Sequence, residues 1–149
     1  MKRGFSTTTL IRVPPTALFR FLADPSTAAV IDPAVVRYEP EGGTMGLGVR
    51  NQVHLRIMGL PIRVTSETTA WEPGRQMAFR SIRPAWPVVA AATHRFEPAP
   101  EGTTYTWSME FIPTGRGGGL VSALSAAMFQ RNARAQQQRV RVVLEAALP

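Results

Sequence analysis

Few side chains in this sequence can move a proton or attack carbon near neutral pH. There is no cysteine, and the only histidines are His54 and His94. Without cysteine there is no disulfide, zinc–thiolate site or thiol nucleophile, a composition compatible with a reducing compartment. Two histidines, one of them predicted on an outer sheet face, cannot build a His-rich metal centre. No metal and no cofactor is expected. No GxSxG elbow occurs. Asp24 and Asp32 each precede a proline and read as turn or cap residues, not as a catalytic pair. The run Gly42-Gly43-Thr44-Met45-Gly46-Leu47-Gly48 lacks GxGxxG spacing and lies between predicted strands instead of opening a helix. Gly115–Gly119 precedes a helix, whose amides can hold an anion, but no Lys-Ser/Thr follows as a P-loop requires. What remains is His94. Its neutral imidazole can accept or donate a proton near neutral pH; the alternative is a hydrogen-bonded core histidine.

Proline and glycine divide the chain into the elements that would position it. Phe5–Val13, rich in Thr, Ile and Val, predicts a strand. Pro14-Pro15 stops it, and Pro15–Ala23 predicts a short helix with Leu18, Phe19 and Leu22 on its apolar side. Asp24-Pro25-Ser26 ends that helix and can start a second, and Asp32-Pro33 makes a further break. Six strands follow: Val35–Glu39, Val49–Met58, Ile62–Trp71, Gln76–Ile82, Val89–Phe96 and Thr104–Phe111. Turns are placed at Glu41-Gly42-Gly43, Gly59-Leu60-Pro61, Glu72-Pro73-Gly74, Arg83–Pro87 and Pro98–Gly102. Such short connections imply an antiparallel meander. From about Leu120 to Ala147 the chain is free of breakers and rich in helix formers. The expectation is one α+β domain, residues 1–149: a seven-stranded curved antiparallel sheet around a long C-terminal helix, with two short helices after the first strand.

Side chains alternate across a strand, and Arg and Glu mark the outer face. That phasing points Thr7, Thr9, Val36, Tyr38, Asn51, Val53, Leu55, Ile57, Ile62, Val64, Ser66, Thr68, Met77, Phe79, Ser81, Ala90, Ala92, His94, Phe96, Tyr105, Trp107, Met109 and Phe111 inward. Many of these are polar, and each unsatisfied polar group in a packed core costs about 1–3 kcal/mol. A cavity holding water or ligand accounts for ten such residues more economically than a solid core. In the long helix, Phe129, Ala133, Gln136, Val140, Val143, Leu144 and Ala147 share one side, with Asn132 at its border. Gln136 is either a tolerated polar residue near a wet edge or a hydrogen-bonding group facing the cavity. The expected ligand contacts are therefore Tyr38, Asn51, Val53, Leu55, Ser66, Thr68, Phe79, Ser81, His94, Phe96, Tyr105, Trp107, Met109, Phe129, Asn132, Gln136 and Val140.

The net charge is +7, almost all arginine, since Lys2 is the only lysine. Arginine beside abundant Ala, Pro and Gly also fits a GC-rich coding sequence. The arginines are spread from Arg3 to Arg141 with few aromatics between them, and most fall on the outer sheet face, so no nucleic-acid partner is expected. No apolar run approaches the roughly 18 residues of a membrane span, and the N-terminus lacks the apolar segment of a secretory signal. A cytoplasmic location is the expectation.

The first turns of the long helix carry a separate stripe, Leu120, Val121, Leu124 and Met128, rotated by roughly 100° from the later one. Either the helix bends near Met128–Arg131 or this stripe covers something else: the pocket mouth, a partner subunit as in a homodimer, or a lipid surface. Beside a triple-glycine hinge it would also suit a movable lid.

The order of motifs resembles the START/Bet v 1-like (SRPBCC) superfamily, and most of all its polyketide cyclase/dehydrase-type branch. The resemblance runs through Val13-Pro14-Pro15-Thr16-Ala17-Leu18-Phe19-Arg20-Phe21-Leu22-Ala23-Asp24-Pro25, the Asp32-Pro33 step and Gly46-Leu47-Gly48-Val49-Arg50. It continues through Trp71-Glu72-Pro73-Gly74-Arg75, His94-Arg95-Phe96-Glu97, Gly102-Thr103-Thr104-Tyr105-Thr106-Trp107 and the terminal helix. It implies a helix-grip fold that binds a hydrophobic small molecule such as a lipid, quinone or aromatic polyketide. It also implies an alternative, acid–base cyclisation or dehydration of a poly-β-ketone chain. In that case His94 would carry protons, Tyr38 or Tyr105 would polarise a carbonyl, and Arg83 would steady an enolate. A third reading is a protein–protein adaptor that uses Leu120–Met128.

Overall fold

A computed structural model describes residues 3–147. Strand β1 (Arg3–Ile11) leads into α1 (Pro15–Leu22), a 3₁₀ turn at Pro25–Thr27 and α2 (Ala28–Ile31). Then come β2 (Val35–Pro40), β3 (Arg50–Ile57), β4 (Leu60–Glu72), β5 (Gln76–Arg83), β6 (Val88–Ala99), β7 (Gly102–Pro113) and α3 (Gly118–Glu145). The seven strands form one antiparallel sheet in the order β1-β7-β6-β5-β4-β3-β2. Consecutive strands are neighbours from β2 to β7. The helical segment carries the chain from the β1 edge to the β2 edge.

Extra residues curve the sheet. The thirteen-residue strand β4 shifts register between Thr65 and Ser66 and again between Thr68 and Ala70, and such bulges bend a strand and increase its twist. A third shift, between Val35 and Arg37, changes the expected phase of β2. Val36 was expected inward with Tyr38. Instead Val35 and Tyr38 line the interior, and Val36 and Arg37 both lie exposed outside.

Two turns are tighter than the sequence reading. Met58 and Gly59 alone connect β3 to β4, because Ile57 pairs with Leu60 and both turn residues have positive φ, 52° and 79°. Leu60 and Pro61, expected in the loop, open β4 instead. Between β6 and β7, Ala99 pairs with Gly102, so Pro100-Glu101 makes the whole turn. Arg83–Pro84 and Trp86–Pro87, in the β5–β6 connection, are cis peptide bonds.

The end of the sheet beneath α1 is packed shut. Ile11 and Leu18 are fully buried. Phe19 meets Trp71 and Phe96 edge-on at 4.9 and 5.8 Å, and the Thr103 hydroxyl donates to the Val13 carbonyl at 2.7 Å. Helix α3 lies on β1 and β7. Gln137 anchors it there: its amide donates to the Thr7 carbonyl at 3.1 Å and reaches the Tyr105 carbonyl at 3.5 Å. Because α3 covers one side of the curved sheet, the inner faces of β2 to β6 are left facing an unfilled space.

The helix runs as one element through Met128–Arg131, where a bend was one of the two alternatives. Its buried face starts with Gly118, Ser122 and Ala126 and continues through Ala133, Gln136, Gln137 and Val140. These positions recur every three or four residues and form one stripe. Small residues let the first turns sit close over Pro87 and Pro113, while Leu120, Val121 and Leu124 face outward and Met128 lies between solvent and the sheet's concave side. Among the described residues no helix is long and apolar enough to cross a membrane.

Candidate functional site

The uncovered concave face forms a cavity of about 580 Å³. Its floor is built by inward positions of β2 to β7: Tyr38, Val53, Leu55, Ile57, Ile62, Val64, Ser66, Met77, Phe79, Ser81, Val88, Ala90, Ala92, His94, Trp107, Met109 and Phe111. Ser125, Met128, Phe129 and Gln136 of α3 form one wall. Leu22 and the segment from Asp24 to Val35 supply another, and Met45 reaches in from the β2–β3 connection. Most of these groups are apolar, so burial of hydrophobic surface would dominate the affinity of an occupant.

Eleven of the expected contact residues line this cavity: Tyr38, Val53, Leu55, Ser66, Phe79, Ser81, His94, Trp107, Met109, Phe129 and Gln136. Six do not. Asn51 and Thr68 are buried beside it, with the Asn51 amide donating to Thr68 Oγ1 at 3.2 Å and to the Val49 carbonyl at 3.4 Å. Phe96 and Val140 are packed core, and Tyr105 lies behind His94. Asn132 is exposed, because it stands one residue, about 100°, before the buried Ala133. Arg83 is exposed beside Pro84, which lines the cavity.

Some cavity residues were readable as inward by phase yet were not singled out, among them Ile57, Ile62, Val64, Met77, Ala90, Ala92 and Phe111. Met45 and the wall from Asp24 to Asp32 come from irregular backbone, where no periodicity exists to read. Ser125 lies one turn before Phe129 on the expected side of the helix, but it is polar and precedes the apolar residues from which that side is read.

His94 is the chemical centre of the floor. It pairs in register with Trp107, and the two rings stack at 5.7 Å with 14° between their planes. Tyr105 stacks on its other side at 5.9 Å and 19°, and Phe79 meets it edge-on at 6.1 Å. Nδ1 lies 2.6 Å from Tyr105 Oη. Burial pushes the Tyr105 phenol well above its ordinary range, so it stays protonated; its proton has no other acceptor among the described residues, which favours donation to Nδ1. With the phenol as donor, the imidazole proton resides on Nε2, which has no partner among the described residues. Burial also pushes the His94 pKa down from 6.5 to about 4, since no nearby carboxylate compensates the lost hydration of the cation. The surface that His94 retains opens into the cavity. It is a neutral hydrogen-bond donor at neutral pH.

Two further polar residues, Gln136 and Tyr38, face the same space, whereas Trp107 lines it with its ring and keeps Nε1 buried, without a hydrogen-bond partner among the described residues. Gln136 is 8% exposed and lines the cavity. Tyr38 is held neutral by burial, and its hydroxyl interacts with Ser66. Among the described residues no cluster of His, Asp or Glu could hold a metal ion.

Residues 2–145 match the family described as polyketide cyclase / dehydrase and lipid transport. The chain belongs to that family. The expected superfamily and helix-grip architecture are thus both met, with the sheet, the early helices and the terminal helix in the anticipated order. Solved structures share the fold of this family member. The Zhui aromatase/cyclase from a Streptomyces species is 21% identical, with 97% of this chain and 94% of that one aligned at a TM-score of 0.80. The di-domain ARO/CYC StfQ, from the steffimycin biosynthetic pathway, aligns with 99% of this chain and 53% of its own at 13% identity and a TM-score of 0.77. Ara h 8.0201 aligns with 97% of this chain and 99% of its own at 16% identity and a TM-score of 0.72. No curated protein sequence matches the chain.

Proposed function

We propose that this family member binds one apolar, ring-containing small molecule in its internal cavity and holds it as a carrier or binding protein, with a cytoplasmic location. The observation that carries this reading is the apolar cavity of about 580 Å³ with neutral polar groups at its floor. A flat ring would lie along the His94–Trp107 face. A carbonyl or hydroxyl oxygen on it would accept from His94 Nε2 or the Gln136 amide. Those donors would fix orientation, and burial would supply most of the affinity.

A second reading is the cyclase or dehydratase chemistry that the family description includes. It is favoured by the free Nε2 of His94 in the cavity. The imidazole is poorly tuned for it: an effective general base near neutral pH has a pKa near the working pH, and His94 lies at about 4. His94 therefore suits polarising a ligand carbonyl by donation better than taking a proton from carbon.

Native mass spectrometry with a hydroxyanthraquinone, a flavanone and a long-chain fatty acid tests the binding reading. A one-to-one complex with at least one of the cyclic probes, weakened by Gln136→Leu, is expected. Failure of all three to bind, or preference for the fatty acid alone with no effect of Gln136→Leu, overturns it. Turnover of a poly-β-ketone chain that is abolished in His94→Ala would instead establish the second reading.

A further inference from the structure

The open end of the sheet has an unusual surface. Antiparallel connections alternate ends, so the β3–β4 turn, the β5–β6 loop and the β7–α3 loop all lie at one end. Trp86 of the β5–β6 loop packs over Gly115, where a Cβ would collide with its indole, and this joins the loop to the start of α3. Large apolar side chains stand outward here: Met58 is 94% exposed, Leu120 68%, Leu60 65%, and Trp86 and Leu124 62% each.

Met58 is the most informative of them. It occupies the first central position of a two-residue turn with positive φ, a place that favours Asn, Asp or Gly. A methionine there is unfavourable for the turn and contributes nothing to the core. Its placement is explained if the tip enters an apolar phase.

The charge at this end is mostly of one sign. No acidic residue occurs in 54–66, 80–95 or 111–144, which supply these loops and their flanks, whereas Arg56, Arg63, Arg83 and Arg116 do. On the outer face next to the hairpin, Arg37, His54 and Arg63 stand side by side across three strands in register. With Arg56 they line a shallow groove. Like groups directly opposite one another destabilise a sheet. Glu39 accepts from Arg37 at 3.1 Å and from His54 at 2.9 Å, and Arg63 has no ion-pair partner among the described residues. Asp32 is satisfied locally by the Ala34 amide at 2.9 Å.

We propose that this end docks on the surface of an anionic phospholipid bilayer, with Met58, Leu60, Trp86, Leu120 and Leu124 entering the interface and the arginines meeting headgroup phosphates. Apolar anchors flanked by arginines that outnumber the nearby carboxylates fit that surface, and a second copy would bring the same excess of positive charge against them. The cavity is bordered by Ile57, Ile62, Pro84 and Met128 at the same end, so docking would bring it against the lipid. The inference does not depend on what the cavity holds.

Flotation with vesicles tests it, using phosphatidylcholine alone and phosphatidylcholine mixed with phosphatidylglycerol. The protein should float with the anionic vesicles, scarcely with the neutral ones, and less as salt rises. Met58→Asn, which suits the turn better, should keep or raise the thermal midpoint while lowering partitioning roughly tenfold, the transfer of one methionine side chain. Arg63→Gln and Arg116→Gln should each lower it about fivefold. Val142→Ser, an exposed apolar position toward the far end of α3, should change nothing. Absence of flotation with anionic vesicles, or a Met58→Asn variant that floats as well as the parent, overturns the proposal. A dimer without lipid that Met58→Asn converts to monomer would assign this face to a second copy instead.

Discussion

Tyr105 Oη and His94 Nδ1 lie 2.6 Å apart on adjacent strands, with their rings stacked. The phenol faces packed core and the imidazole faces the cavity; burial sets the charge that the site presents, and this bond, with the phenol as donor, sets the tautomer.

The first consequence is a pH dependence. His94 titrates near 6.5 when unfolded and at about 4 when folded. Between those values the unfolded chain holds more protons, so stability is complete above about pH 6.5 and falls as pH drops toward 4. The loss attributable to His94 is up to about 3 kcal/mol. Urea unfolding across that window, on the parent and on His94→Gln, measures it. The variant should lose less stability than the parent, and parallel curves would show that His94 is not held neutral by the fold.

A second consequence concerns Tyr105→Phe. Its ring stacking should survive, but Nδ1 loses its donor. Destabilisation of about 1–3 kcal/mol is expected. Nitrogen NMR shifts of His94 should move from a nearly pure Nε2–H form toward a mixture of tautomers. An unchanged tautomer in the variant would mean that something other than Tyr105 selects it.

The β6–β7 turn yields a test of the closed end. Gly102 has φ +150°, and a Cβ there would run into the Ile11 carbonyl and the Arg12 backbone, which cannot step aside without unpairing β1. Gly102→Ala should cost about 2–4 kcal/mol. Gly43 also has positive φ, but open space surrounds its Cβ position, and Gly43→Ala should cost only about 1 kcal/mol. Equal thermal midpoints for the two variants would contradict the packing of this turn on β1.

The sequence made the sheet legible because arginines alternate with apolar residues along β3 to β6, so the phase of Val53, Leu55, Phe79 and His94 could be read directly. The single failure of phase, Val36, lies at a bulge, which adds a residue without leaving a mark in the pattern. The cavity wall was less legible. Asp24 to Asp32 approach it through backbone with no period, and Tyr105 and Trp107 look alike by phase. Only the position of α3 makes one a core residue and the other a lining residue. The outward stripe of α3 was visible, but not the reason for it: Gly118, Ser122 and Ala126 are small enough to bury, and hydrophobicity alone does not rank them above Leu120 and Leu124.

Ala92 offers the most direct test of where a ligand would sit. It lies two residues from His94 on the same face of β6, between Phe79 and Met109 on the neighbouring strands, and it lines the cavity. A larger side chain in a packed core forces neighbours off their rotamers. Here the side chain points into open space. Ala92→Phe should therefore keep or raise the thermal midpoint, because it buries a ring on Phe79 and Met109 without displacing them. The same ring would occupy the place in front of His94 where a planar ligand is expected to stack. Affinity for any cyclic probe that binds the parent should fall by roughly tenfold or more, equivalent to losing one well-buried contact. Titration calorimetry on parent and variant, with melting curves as the control for folding, reads both quantities. A variant that folds well and binds as the parent does would place the ligand away from the His94 floor.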